Sequence, residues 1–218
     1  MRKGNRGFSF LDVLALVTAL AVLVGLFVLY TERGRRRREA PAHLRCRNNL
    51  NQLAKGMATY LVEYGSNTWY PCPLERGATR GTYNGAEWLA ALYWTGVVPD
   101  PRTFLCWDSG DTNADGKDIG SHRANDCGGT FGPQTISYAG MWWKSVNTIT
   151  GGAIKDDRPP EEPMACDDTQ GGINHGTATN GGMAVLFFDS HVEFKTNTEI
   201  DLERGVGMKP GLLWRLKN

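Results

Sequence analysis

The chain has 218 residues, 41% of them hydrophobic, which is enough for one domain with a modest core beside whatever the first forty residues do. Its formal net charge of +1 is unevenly placed: residues 1–38 carry eight Arg or Lys against Asp12 and Glu32, leaving 16 basic and 21 acidic side chains in the remainder. A basic end on a mildly acidic body argues against nucleic acid as the main partner of the globular part.

Phe8 to Tyr30 reads FSFLDVLALVTALAVLVGLFVLY, twenty-three residues with one charge and no proline. As a helix it would span roughly 35 Å, long enough to cross a bilayer. A secretory signal would have a shorter apolar core followed by a small-x-small cleavage site. This one runs into Thr31, Glu32 and an arginine cluster, so removal of the whole segment is not expected. Two details exceed what a plain anchor needs. The basic leader Met1–Gly7 ends in glycine just before Phe8, and Asp12 places an acid in the first turns of an apolar helix, where hydrocarbon makes a carboxylate costly.

RGFSFLDVLALVTALAVL resembles the type IV prepilin signal, in which a dedicated peptidase cuts after glycine, methylates the new N-terminus and finds an acid at the fifth mature position. The resemblance makes Gly7 the residue before the cut, Phe8 the new N-terminus and Asp12 the assembly acid. The family's usual Glu and Thr are here Asp12 and Ser9. A carboxylate at this depth can pair with the free amine of Phe8 on a neighbouring subunit, since opposite charge offsets burial. Orientation carries a conflict. Arg33 and Arg35–Arg38 outnumber Arg2, Lys3 and Arg6, and a positive-inside count would keep the large domain in the cytoplasm. The prepilin resemblance puts it outside, and long domains translocate with less regard to flanking charge.

The segment 31–64 joins basic residues to an amphipathic helix, with Leu50, Leu53, Met57, Tyr60, Leu61 and Tyr64 at three- and four-residue steps. Pro41 is placed at a break or first turn, and Gly65 and Ser66 at the end. CRNNLNQLAKGMATYLVEYG is also similar to a prepilin-like set common in planctomycete-type bacteria, with Cys-x-Asn-Asn-Leu after the membrane helix; Cys46, Asn48, Asn49 and Leu50 carry the match.

From residue 65 onward the sequence implies a loop-rich β domain. Glu87–Thr95 reads as a short helix and Ile136–Trp143 as a strand, and the many aromatics are expected mainly in the core. Asp111, Asn113 and Asp115 before Gly116 match the start of a calcium loop, but His122 stands where Glu should close it; a polar turn is the alternative. The cysteines Cys46, Cys72, Cys106, Cys127 and Cys166 contain no CxxC pair, so no zinc site of the usual local spacing is expected. Buried apolar thiols, and one or two disulfides with a thiol left over, are both open.

Residues 183–195 read as a hairpin of two strands joined at Asp189 and Ser190. With His175 upstream, the stretch is similar to the C-terminal His-x9-Asp-Gly signature of the same set, although here the spacing is longer and Ser190 replaces the glycine. His175, Asp189 and His191 carry this resemblance. They invite a metal or catalytic role, but no nucleophile stands beside a base and a turn Asp usually caps its own backbone.

The expectation is therefore an α+β protein: a leader (1–7), a membrane helix (8–30), a basic segment and amphipathic helix (31–64) and a β domain (65–218). The resemblance implies a non-enzymatic pilin-like or pseudopilin subunit, single-pass in the inner membrane. Its partners would be prepilin peptidase and other pilin-like subunits, with calcium the one cofactor suggested. A membrane-anchored envelope-binding protein using an aromatic surface is the second class, and a cell-surface hydrolase or metalloprotein the third. The second would show an exposed Trp cluster beside a pocket, the third converging acids and histidines.

Overall fold

The computed structural model describes residues 10–71, 85–121, 129–142, 154–167, 175, 181–200 and 211–217. The chain divides into two compact units, 1–41 and 42–218.

Helix α1 spans Phe10–Glu63. Pro41 lies inside it rather than at a break, although proline removes one intrahelical hydrogen bond; the division between the units falls just after it. In the first unit, Val13–Tyr30 has a mean hydropathy of 2.8 and no residue buried by protein, and it is long and apolar enough to cross a membrane. In the second unit Cys46, Leu50, Leu53, Ala54 and Met57 are buried on one stripe, the spacing of a helix with one covered face. The helix ends where expected. The N–H groups of Tyr64 and Gly65 both reach the Tyr60 carbonyl, and Ser66 and Asn67 take positive φ. A Cβ on Gly65 would lie 2.1 Å from the Trp69 carbonyl oxygen, so only glycine lets the chain double back there.

The second unit is α+β. Five antiparallel strands, β1 (Tyr138–Met141), β2 (Pro163–Asp167), β3 (Gly182–Phe187), β4 (Val192–Thr196) and β5 (Leu216–Lys217), lie in the order β4-β3-β2-β1-β5. Helix α2 (Gly85–Trp94) packs on β1 and β5; short helices α3 (Lys117–Gly120) and α4 (Asn197–Ile200) and three 3-10 turns complete the described elements. The approach of α2 to the sheet is closer than side chains allow: a Cβ on Gly85 would fall 2.0 Å from the Gly140 carbonyl oxygen. Trp88, Leu89 and Leu92 of α2 share one core with the buried stripe of α1 and with Tyr138, Met164, Val185 and Leu216 from the sheet.

Strands β1, β2 and β3 are buried along their whole length. Both faces are covered, so their sequences lack the in-out alternation of a half-exposed strand. The sequence reading finds β1, β3 and β4 but passes over the short β5 and over β2, which starts on Pro163 and carries a register irregularity before Ala165. Tyr70, Trp88, Phe104, Tyr138, Phe187 and Phe188 are core as expected, whereas Tyr64, Phe194 and, most strongly at 71%, Trp107 are exposed in the same unit.

The hairpin turn covers Phe188–His191 and closes with the Phe187 N–H donating to the His191 carbonyl at 3.0 Å. Ser190 adopts φ 71°, the left-handed conformation in which an L side chain is disfavoured. Ser190→Gly should therefore stabilise the domain by up to about 1 kcal/mol, net of the entropy glycine adds to the unfolded chain. Urea denaturation would register this as a raised midpoint at unchanged slope.

Candidate functional site

Four buried residues from separate parts of the second unit converge. Cys46 points inward because it lies one turn before Leu50 on the buried stripe of α1. Cys106 follows the 3-10 turn Pro101–Phe104, which Asp100 caps by accepting the Arg102 N–H at 2.9 Å. This turn is tied to α1: the Asn49 side-chain amide donates to the Leu105 carbonyl at 2.9 Å, and Thr103 donates its hydroxyl to Gln52 Oε1 at 3.1 Å. Asp167 ends β2 opposite Tyr138, and its Oδ2 accepts the Ala184 N–H of β3 at 3.1 Å. His175 forms an isolated bridge with Gly182 at the start of β3.

His175 Nε2 lies 3.1 Å from Asp167 Oδ2 and 3.5 Å from Cys106 Sγ, and Nδ1 lies 3.3 Å from Asp108 Oδ2. One ligand atom each from Cys46, Cys106, Asp167 and His175 falls within 4.8 Å of every other. The second carboxylate oxygen, Asp167 Oδ1, is buried without a hydrogen-bond partner among the described residues.

These contacts shift proton affinities strongly. The hydrogen bond from Cys106 lowers the Cys46 thiol to about 6 against the opposing effect of burial, with His175 assisting. The same contact with Cys46, joined by burial, pushes the Cys106 thiol up. Burial alone would lower His175, but its bonds to Asp167 and Cys46 outweigh it and raise the imidazole to about 10. A thiolate beside an imidazolium is the charge pattern of a nucleophilic cysteine, yet Cys46 is 0% exposed. Its sulfur is closed off from solvent. Two sulfurs, an imidazole nitrogen and a carboxylate oxygen at this separation form a donor set for a divalent metal ion.

Beside the cluster a cleft of about 520 Å³ has Cys106 in its wall and is lined by Arg45, Asn48, Asn49, Arg102 and Trp107 among others. The Arg45 guanidinium lies 4.3 Å above the Trp107 ring. Among the described residues Trp107 is the one strongly exposed tryptophan, not part of an exposed cluster.

Of the residues singled out in the sequence, Cys46 and His175 come together, Leu50 is core and Asn49 fastens the 102–105 segment to α1. Asn48 lines the cleft. Asp189 and His191 stay with each other on the exposed hairpin turn, where Asp189 accepts the His191 N–H at 3.0 Å and also bonds its ring. The Asp189 carboxyl is thereby held below its usual range, and the His191 ring stacks on Phe187. The turn aspartate caps its own backbone, as expected from the sequence.

Residues 111–116 form a turn in which the Asn113 amide donates to the Pro101 carbonyl at 2.7 Å and Asp115 lies 3.7 Å from Arg102. Asp111 lines the cleft. Gly7, Phe8, Cys72, His122, Cys127 and Trp143 lie outside the described residues, as does the side chain of Asp12. The residues that reasoning from sequence missed are Cys106, Asp108 and Asp167. The lack of a paired cysteine nearby hid Cys106, and Asp167 sits in the unrecognised strand β2.

No family model, no curated protein and no solved structure matches the chain.

Asn49→Ala would remove the shorter of two hydrogen bonds to the part-buried Leu105 carbonyl, leaving only the Tyr138 hydroxyl at 3.4 Å, at an expected loss of about 1 kcal/mol in stability. Chemical denaturation measures the loss, and hydrogen exchange should rise around residues 102–106, not in β3.

Proposed function

We propose that this protein is a non-catalytic, pilin-like structural subunit, anchored by its apolar N-terminal helix and assembled through it with other subunits in a secretion or pilus-type apparatus. The observation that carries the reading is the dual character of α1. Val13–Tyr30 is strongly apolar and stays exposed among the described residues, whereas Cys46–Met57 of the same helix contributes to the core of a small α+β unit. An exposed apolar helix of this length fits a lipid environment or the matching helices of neighbouring subunits.

The Gly7–Phe8 junction and Asp12 supply the finer reading. Cleavage after Gly7 would free an amine at Phe8, and Asp12 of one subunit would pair with that amine on the next. The acidic body would then lie on the periplasmic or extracellular side of the inner membrane. Burial of the Cys46 thiol and of His175 argues against a catalytic role for that pair, because neither presents a reactive atom to solvent.

Mass and N-terminal analysis of the chain from its native membrane should find N-methylated Phe8 at the start. A chain still carrying Met1–Gly7 would sink the prepilin reading. Asp12→Ala should abolish cross-linked multimers while leaving the far-UV circular dichroism of the domain unchanged.

A further inference from the structure

We propose that Cys46, Cys106, Asp167 and His175 bind one zinc ion, which staples helix α1 to the sheet as a closed structural site. Four groups of three ligand types, brought from α1, the segment after the 3-10 turn, β2 and the approach to β3, have ligand atoms within 4.8 Å of one another. A four-coordinate zinc with bonds of about 2.0–2.3 Å needs ligand separations of about 3.3–3.8 Å, so small side-chain adjustments close the site.

Two further observations point to an ion at this place. Asp108 Oδ2 lies 3.3 Å from His175 Nδ1. A proton on Nδ1 donated to that carboxylate turns the Nε2 lone pair toward Asp167 and Cys106, the carboxylate–histidine–metal arrangement that orients a ligating imidazole. Asp167 Oδ1 is a buried carboxylate oxygen with no hydrogen-bond partner among the described residues. A proton on Nε2 would serve Asp167 Oδ2 and leave Oδ1 without a donor among the described residues, whereas a divalent cation can take the carboxylate, the imidazole and both sulfurs at once.

The donor set selects the metal. Two thiolates and an imidazole disfavour calcium and magnesium, which take oxygen ligands, and zinc accepts a mixed sulfur, nitrogen and oxygen tetrahedron. All four residues are buried, so no coordination position faces solvent and the site is structural, not hydrolytic. The cleft against Cys106 provides the route by which the ion arrives. The assignment stands on the second unit alone and is independent of how the N-terminal helix is processed.

The full-length chain, purified in detergent under reducing conditions without chelator, should contain one zinc per chain by elemental analysis. Replacement by cobalt should give thiolate-to-cobalt charge-transfer absorption and the intense visible bands of a tetrahedral centre. Asp108→Asn should weaken zinc binding about ten- to a hundredfold in competition with a chromophoric chelator, with the circular dichroism unchanged. His191→Ala, on the distant turn, should leave the metal content as it was. Cys106→Ser should lose the cobalt charge-transfer intensity of one sulfur; because that variant could misfold, the cobalt spectrum of the unaltered chain decides. The assignment is overturned by a reduced chain that takes up neither zinc nor cobalt, by copper or iron in zinc's place, by a Cys46–Cys106 disulfide in protein from the native membrane, or by unchanged metal in a folded Cys106→Ser chain.

Discussion

A histidine and an aspartate buried together within the core of the second unit set the terms for the rest of that unit. His175 and Asp167 are almost wholly removed from water, and groups of this kind are costly to bury unless their geometry is good and their remaining valences are met. The sheet provides that geometry. Tyr138 faces Asp167 across β1 and β2, and the Ala184 N–H of β3 meets the Asp167 carboxylate, so three strands must be in register before the acid stands beside the imidazole. A slip of one residue would exchange Asp167 for Cys166 on the same face and separate the pair. Helix α1 and the segment after Phe104 then close the site with a sulfur each, which makes docking of the helix and completion of the cluster a single event.

Helix α1 meets two environments in one element. Its later part contributes an apolar stripe to a shared core, with Asn49 and Gln52 adding polar contacts to the segment 102–105 at the edge of that stripe. Its earlier part presents Leu, Val and Phe side chains that the described residues leave exposed. In the proposed assembly role these two parts have separate tasks, the first to associate in or through the membrane and the second to hold the domain. The tie between α1 and the sheet would then bear any load passing from the helix into the domain.

The two sequence resemblances, one after the apolar segment and one near the C-terminus, meet in space at a single pair, Cys46 and His175. Asp189 and His191, which belong to the same stretch as His175, serve a different purpose. They form and cap the turn between β3 and β4, and the strained φ of Ser190 shows the turn keeping its shape without the glycine that would favour it. The turn at Asn113 behaves similarly, with its polar side chains engaged by Pro101 and Arg102 of the neighbouring segment.

The sequence by itself determined the elements whose periodicity is visible in a short window: the apolar run ending at Tyr30, the amphipathic stripe through Leu50, Leu53 and Met57, the helix near Trp88, and the hairpin of β3 and β4. Each rests on local patterning, helical steps in one case and strands flanking a turn in another. Tertiary structure alone decided the order of the five strands, the full burial of β1 to β3, and the meeting of Cys46 with Cys106, Asp167 and His175. Cys106 has no local partner to mark it, and Asp167 ends a strand that begins with proline and lacks alternation because both of its faces are covered. Ligands drawn from segments far apart in the chain leave no spacing to read, since their proximity is created by strand register and helix docking.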